Sequence, residues 1–401
     1  MTNKSEDRVL YLGSNGFPFG SAMIQRQIQI SKLFLDIGFK VNVLNRRGAH
    51  SKSIIQREKI KRSGKYQGIE YIYCSLIPYK STNFIIRNSV KIVGYITEFL
   101  LIFYYVLFKG AKYFFCNSIS LNQLKYYSFL AKILRAEFIY DYVEYMDSLG
   151  DRNKNEIIDI SNSFDHNFFK YTDKIVCISV FLKKHLEDLQ YKKPIFKIPP
   201  IIDFSFFDKI EPKKDIESPY FLFCGSAAYY DLITFVIRAF SFSLADSVGY
   251  KLKLVISGSL DQLQRVKIYI DTIENKESIM ILSKLPYIDL IGYYKSSVAL
   301  LIPISNNLQD RARFPFKICE YTAAKRPIIT SDTGAITQYF KNNVNALISE
   351  SGDIESFASK MNLIIEKPDL VNKVGLKGYK LGKEVFNYRS YCDDFKSFVY
   401  R

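Results

Sequence analysis

Arg8-Val9-Leu10-Tyr11-Leu12-Gly13-Ser14-Asn15-Gly16-Phe17-Pro18-Phe19-Gly20 is the stretch whose reading decides the fold. The apolar run 8–12 predicts a strand, and the glycines behind it predict a turn. Over residues 21–37 apolar side chains recur at Ile24, Ile28 and Leu35 and at Ile30, Leu33, Phe34 and Ile37. That is helical spacing, and Gly38 stops it. Residues 41–45 form the next strand-like run. A strand, turn, helix and strand in this order make a parallel pair with a right-handed crossover.

The same rhythm runs outward along the chain. Residues 69–74, 113–117, 137–141 and 174–178 read as strands, with helices over 121–135 and 180–189 between them. Residues 203–218, with Pro212 and mixed charges, read as a linker. Strands then resume at 220–224, 252–257, 279–282, 298–303, 327–331 and 345–348, separated by helices such as 231–244, 260–273 and 315–325. From Pro368 the pattern is helical. The expected architecture is α/β, two doubly wound parallel-sheet domains in series with C-terminal helices. Ligands of such sheets bind beyond the carboxyl ends of the strands, so the expected site is a cleft that the two domains face.

Composition is that of an ordinary folded protein: 401 residues, 48% apolar and 24% charged, with 30 Tyr and 32 Phe. Disorder, a collagen-like fibre and a disulfide scaffold are excluded. The net charge of +16 is uneven, because +12 of it falls in residues 1–205. A basic front half points to anionic lipid, phosphate-bearing substrates or nucleic acid. No nucleic-acid recognition module is present, so nucleic acid is not expected as a partner. Between Lys40 and Lys65 nine Lys/Arg stand against one acid, Glu58, which reads as a solvated basic loop. The six cysteines are scattered through apolar runs without a Cys-x-x-Cys pair. They read as small buried hydrophobes in a reducing compartment, and no metal site is expected. No secretory signal is expected ahead of the first strand. Residues 92–108 are almost wholly apolar, but Glu98 interrupts them, and a central carboxylate costs about 2.5–3.5 kcal/mol on insertion. A helix packed against a sheet, with an interfacial edge, is expected there rather than a membrane span.

The segment 310–332 carries the most chemistry: Asp-Arg-Ala-Arg313-Phe-Pro315-Phe-Lys317-Ile-Cys-Glu320-Tyr, ending in Pro-Ile-Ile-Thr-Ser-Asp. Pro315 suits the first turn of a helix. Glu320 in the second turn is placed to accept two hydrogen bonds from adjacent sugar hydroxyls, and Arg313 and Lys317 add charge for a diphosphate. The plainer alternative is a solvated charged helix. This Arg-x-Pro-x-Lys-x-x-Glu-Tyr pattern resembles the donor-binding helix of family-four retaining glycosyltransferases with the GT-B fold. Residues 16–22, 173–179, 198–203, 223–226 and 333–334 resemble other parts of that family, in the right order.

The resemblance implies a sugar transfer, with retained configuration, from a nucleotide-diphosphate sugar to an acceptor hydroxyl. It implies no metal and no cofactor, the donor being a substrate. Glu320 would hold the ribose, Lys284 and Leu285 would meet the base, and Gly16, Gly20 and Ser21 would lie against the sugar and phosphates. Gly225, Ser226, Thr333 and Gly334 would complete the donor site beside Arg313 and Lys317. Of the two acids at the end of strand 137–141, Glu144 is preferred over Asp141 as the catalytic group, with loop capping as the alternative for both. Residues 1–205 would bind the acceptor and 206–375 the donor, while 376–401 would cross back to the first domain. A glycan or lipid-linked sugar is the implied acceptor, and the protein is expected inside the cell, peripheral to the membrane. Two departures stand out. The family's second acid falls on Ala312, and its Arg/Lys pair is missing from Gly225-Ser226-Ala-Ala-Tyr-Tyr230-Asp-Leu. A catalytically silent subunit that binds a partner or glycan is the alternative function.

Overall fold

Every residue of β1 (Arg8–Leu12) is buried, as expected of a strand with neighbours on both sides and helices over both faces. The computed structural model describes residues 7–20, 22–148, 163–214, 216–334 and 336–401. They divide into two units. The first comprises the chain up to Pro199 together with Tyr388–Arg401, and the second is Pro200–Asn387.

In the first unit β1 is joined by β2 (Lys40–Asn45), β3 (Ser63–Tyr66), β4 (Ile69–Tyr73), β5 (Ala111–Cys116), β6 (Glu137–Tyr142), β7 (Lys174–Cys177) and β8 (Ile195–Lys197). The order is β3-β4-β2-β1-β5-β6-β7-β8. All neighbours are parallel except β3 and β4, an antiparallel hairpin. Its two turn residues, Gln67 and Gly68, both have positive φ, the geometry of a tight type I′ turn. The expected basic loop is therefore corrected: it contains a helix (Lys52–Arg57) and the edge strand β3. Ser-Gly-Lys-Tyr lacks an apolar alternation because an edge strand has little to bury.

The second unit holds β9 (Tyr220–Ser226), β10 (Lys251–Ser257), β11 (Ile279–Leu282), β12 (Ala299–Ile302), β13 (Ile328–Ser331) and β14 (Leu347–Ser349), in the order β11-β10-β9-β12-β13-β14. Every pairing is parallel. Alternate residues feed opposite cores: Tyr220, Leu222 and Leu300 pack into one cluster, Phe221, Phe223 and Leu301 into the other. This period of two with both faces covered explains why these strands read as continuous apolar runs. The strand order reverses between β1 and β5 in one sheet and between β9 and β12 in the other, which marks the carboxyl ends of those strands as ligand positions.

The boundaries differ from the expected 205/206 and 375/376. Residues 203–218 are not a plain linker, because the helix Phe204–Asp208 buries Phe204 and Phe207 in a core of the second unit. The Ile202 amide donates to the Phe386 carbonyl at 2.8 Å, which holds both crossing points in one place. The helix Pro368–Val385 belongs to the second unit, and only the chain from Tyr388 onward belongs to the first.

The helix Phe84–Lys109 also departs from expectation. Only Gly94, Glu98 and Ile102 are buried, an i, i+4, i+8 stripe. Ile85, Ile92, Ile96, Leu100, Leu107 and Phe108 are exposed. The six cysteines are unpaired, four buried and two half-buried.

Candidate functional site

In the second unit the site grows from the turn after β12. Asn307 caps the helix Leu308–Ala312 by accepting from the Asp310 amide at 2.7 Å. The Asp310 carboxylate accepts from the Ser305 amide at 3.2 Å and from Arg313 Nη2 at 2.7 Å. Arg313 Nη1 donates to the Tyr229 hydroxyl at 3.1 Å, which ties the turn after β12 to the turn after β9. Gly334, in the turn after β13, lies against the Asp310 carbonyl. Thr333 is buried, and its Oγ1 has no hydrogen-bond partner among the described residues. Thr333, Gly334, Arg313 and the β9 exit are thus assembled around Asp310. Gly225 and Ser226 end β9 half-buried. Ser226 Oγ accepts from the Ala228 amide at 3.2 Å.

The next helix, Phe316–Ala323, begins after Pro315, which occupies the cap rather than the first turn. Glu320 is 1% exposed. Its Oε1 accepts from the Tyr287 hydroxyl at 2.7 Å, and its Oε2 accepts from Lys317 Nζ at 2.8 Å and Tyr294 at 3.4 Å. A carboxylate has about four acceptor positions, so three are taken and one remains on Oε1. Gripping two sugar hydroxyls at once therefore requires Tyr287 to turn away. Burial alone pushes the Lys317 ammonium down, but Cys224 and Glu320 more than offset it and hold the group above its ordinary range. Lys284 is exposed in left-handed backbone, and Leu285 is half-buried against the core.

In the first unit the glycine loop is locked by side chains. Gly16 has φ +111°. Asn45 Oδ1 accepts from the amides of Gly16 and Phe17, each at 3.1 Å. The Tyr73 hydroxyl donates to the Phe17 carbonyl at 2.7 Å. Both loop amides are therefore engaged. Gly20 is exposed, and Ser21 lies outside the described residues. His50 Nε2 lies 2.7 Å from the Gly16 carbonyl and must carry the proton, since a carbonyl only accepts.

Burial lowers the His50 pKa from its ordinary 6.5. Below pH 6.5 the unfolded chain then takes up the proton first, so stability falls as pH drops through that window. His50→Gln, whose amide donates to the same carbonyl, is expected to lose this part of the pH dependence. Urea denaturation above and below pH 6.5 measures it.

The two acids after β6 separate. Asp141 is 0% exposed and bound by Arg26, Nη2 to Oδ1 at 2.7 Å and Nε to Oδ2 at 2.9 Å. Arg26 also donates to the Pro199 carbonyl at 3.2 Å. Glu144, beyond the strand end, is half-exposed. Asp141→Asn is expected to cost about 2 kcal/mol of stability, the scale of a hydrogen bond to a charged group. Thermal melting measures it.

Residues 205–381 match the model of the family described as glycosyl transferases group 1. The second unit is a group 1 glycosyl transferase domain. No curated protein matches the chain by sequence. Among solved structures the chain is similar to the sucrose-phosphate synthase of Thermosynechococcus elongatus, with TM-score 0.72, 13% identity and 98% of each chain covered. It is similar to a glycosyltransferase from Rickettsia africae, with TM-score 0.67, 16% identity and 99% of each chain covered. It is also similar to HepE of Anabaena in complex with UDP-glucose, with TM-score 0.69 and 11% identity over 98% of this chain and 99% of that one. At such identities the likeness establishes the fold, GT-B.

Within the transferase domain, sequence reasoning missed Asp310, Tyr229, Tyr287 and Tyr294. Tyr287 and Tyr294 lie seven residues apart on the helix Tyr287–Ser296, a same-face spacing that was the available signal. Ala312, at the position of the family's second acid, is buried, and the nearby buried acid is Asp310. Among the described residues no group of three or more His, Cys, Asp or Glu side chains gathers as metal ligands.

Proposed function

We propose that the protein moves a sugar from a nucleotide-diphosphate donor to an acceptor hydroxyl with retained configuration, without a metal. The acceptor is a surface glycan under construction on a lipid carrier. The observation that carries this reading is the buried Glu320 paired with Lys317 inside the segment matched by the transferase family, with Arg313 held at the neighbouring turn by Asp310 and Tyr229. Glu320 holds the ribose, Lys284 and Leu285 line the base, and Gly225 and Ser226 flank the diphosphate. Arg313 and Lys317 stabilise the charge that develops as the anomeric carbon–oxygen bond to the diphosphate breaks. The acceptor oxygen bonds to the same face of that carbon, and its proton passes to a donor phosphate oxygen. Glu144 touches the acceptor. HepE was solved with UDP-glucose and the pneumococcal O-GlcNAc transferase GtfA with UDP and GlcNAc, which supports a nucleotide-sugar donor here.

The protein works inside the cell at the membrane surface. The helix Phe84–Lys109 is long and apolar enough to cross a bilayer. Its Glu98 stripe is packed on the first unit, which supports lying against the membrane rather than through it. Its exposed apolar side chains, together with Phe129 and Ile133 of the helix Leu121–Leu134, offer an interfacial surface. Ile96→Asp/Leu100→Asp is expected to weaken binding to anionic vesicles about tenfold or more, since two carboxylates would enter the interface. Vesicle flotation measures it.

A second reading is favoured by the missing Arg/Lys pair after β9: a silent subunit that binds a partner or glycan. Nucleotide-diphosphate release across a donor panel, with lipid-linked acceptors present, separates the two. Release with one donor is expected, and no release with any donor would establish the silent reading.

A further inference from the structure

A cavity of about 230 Å3 in the first unit is lined by Arg47, Lys80, Arg87 and Lys91, with Asn15 and Ser81 among the other residues of its wall and no carboxylate. None of these four cations makes an ion pair among the described residues. Other cations of the same unit do: Arg8 with Glu70, Arg26 with Asp141, Lys112 with Asp7 and Lys174 with Glu137. Four like charges around one concavity repel one another unless an anion enters it.

The walls are built rather than incidental. Arg46, beside Arg47, donates Nε to Glu98 Oε2 at 2.8 Å, which pins the end of β2 to the helix Phe84–Lys109. A Cβ on Gly94 would overlap the Arg46 carbonyl, and one on Gly48 would overlap the Tyr79 carbonyl. Only glycine permits these two approaches. The Lys80 amide donates to the His50 carbonyl at 2.8 Å, fixing the opposite wall. Arg87 and Lys91 stand one turn apart on the helix and are half-buried.

Size and position narrow the ligand. The volume is below the usual range for a drug-sized or nucleotide-sized ligand, roughly 300–1,000 Å3, and suits a small anion. Asn15 belongs to the turn after β1, at the carboxyl end of the sheet where ligands bind. Phe84 and Ile85, in the helix turn that precedes Arg87, are exposed and apolar. We propose that this cavity binds the phosphoryl or diphosphoryl group joining the acceptor glycan to its lipid. This rests on the transfer reading above and adds an acceptor subsite to it.

The test titrates inorganic pyrophosphate, and separately farnesyl diphosphate, into the full chain by calorimetry. Wild type is compared with Arg87→Gln/Lys91→Gln, whose side chains are not in the core, and with Lys317→Met as donor-site control. Arg87→Gln/Lys91→Gln is expected to weaken both ligands about tenfold or more, the scale of lost charge-assisted contacts, and to leave UDP and GDP binding unchanged. Lys317→Met is expected to leave the cavity isotherm intact. Equal isotherms for wild type and Arg87→Gln/Lys91→Gln would overturn the proposal. So would tighter binding of glucose 6-phosphate than of farnesyl diphosphate, or binding confined to plain phosphatidylglycerol vesicles. Nucleotide binding is read separately, so failure of the transfer reading shows as lost UDP and GDP binding with the cavity isotherm preserved.

Discussion

Glu98→Ala is expected to lower the unfolding free energy by about 3–5 kcal/mol, the scale of breaking a buried ion pair by removing one partner. The Glu98 side chain is 0% exposed. It accepts from Arg46 Nε at 2.8 Å and from the Tyr127 hydroxyl at 2.9 Å. Burial lifts its carboxyl above the ordinary range, against the opposing pull of Arg46 and Tyr127. Burial pushes the Arg46 guanidinium the other way, but Tyr127 and Glu98 prevail and hold it protonated. Truncation would strand that charge in the interior. Glu98→Gln keeps an acceptor for Arg46 and is expected to cost less than half as much. The double variant Arg46→Met/Glu98→Leu is expected to recover much of the loss, because an apolar pair needs no compensation. Urea denaturation with an unchanged m-value checks the series. A loss below about 1 kcal/mol for Glu98→Ala, the scale of an exposed pair, would show that the helix Phe84–Lys109 is not anchored there.

Lys317→Met is expected to lower kcat by about 10²–10³-fold, the effect of removing one donor aimed at developing charge. Arg313→Met is expected to lower kcat as well, since each cation already has a carboxylate partner, Asp310 at 2.7 Å for Arg313 and Glu320 at 2.8 Å for Lys317. Lys317 stays charged through the neutral range, so its titration should not appear in the pH–rate profile near pH 7. The Lys317→Met variant leaves Glu320 with only tyrosine donors, so thermal melting must accompany the kinetics to separate lost chemistry from lost stability. If both variants bind the donor nucleotide as tightly as wild type and turn over at its rate, the diphosphate contacts lie elsewhere.

Much of the fold was legible because buried parallel strands leave a strong trace. Phe221 and Leu222 serve opposite cores, so both had to be apolar. Gly38 and Gly110 end helices with positive φ, a backbone requirement visible in composition. The strand β3 left no such trace, and neither did the helix Phe204–Asp208, whose two buried phenylalanines sit inside a charged segment.

The candidate site was legible only in outline. Local spacing placed Lys317 and Glu320 together, since residues three apart share a helix face, whereas Arg313 lies outside that helix and meets Asp310 and Tyr229 instead. Spacing did not reveal that Glu320 is closed over by Tyr287 and Tyr294, or that Asp141 is bound by Arg26, a residue 115 positions away. Nor did it show that Glu98, read as an obstacle to membrane crossing, is one half of an ion pair with Arg46. The sequence by itself determined the buried strands, the longer helices and the order in which they come, because hydrophobic periodicity is a local property. Which charges meet, which hydroxyls cover a carboxylate and which cations stand unpaired around a cavity were decided by tertiary structure alone. Those outcomes depend on distances between segments remote in the chain, and a linear pattern does not encode them.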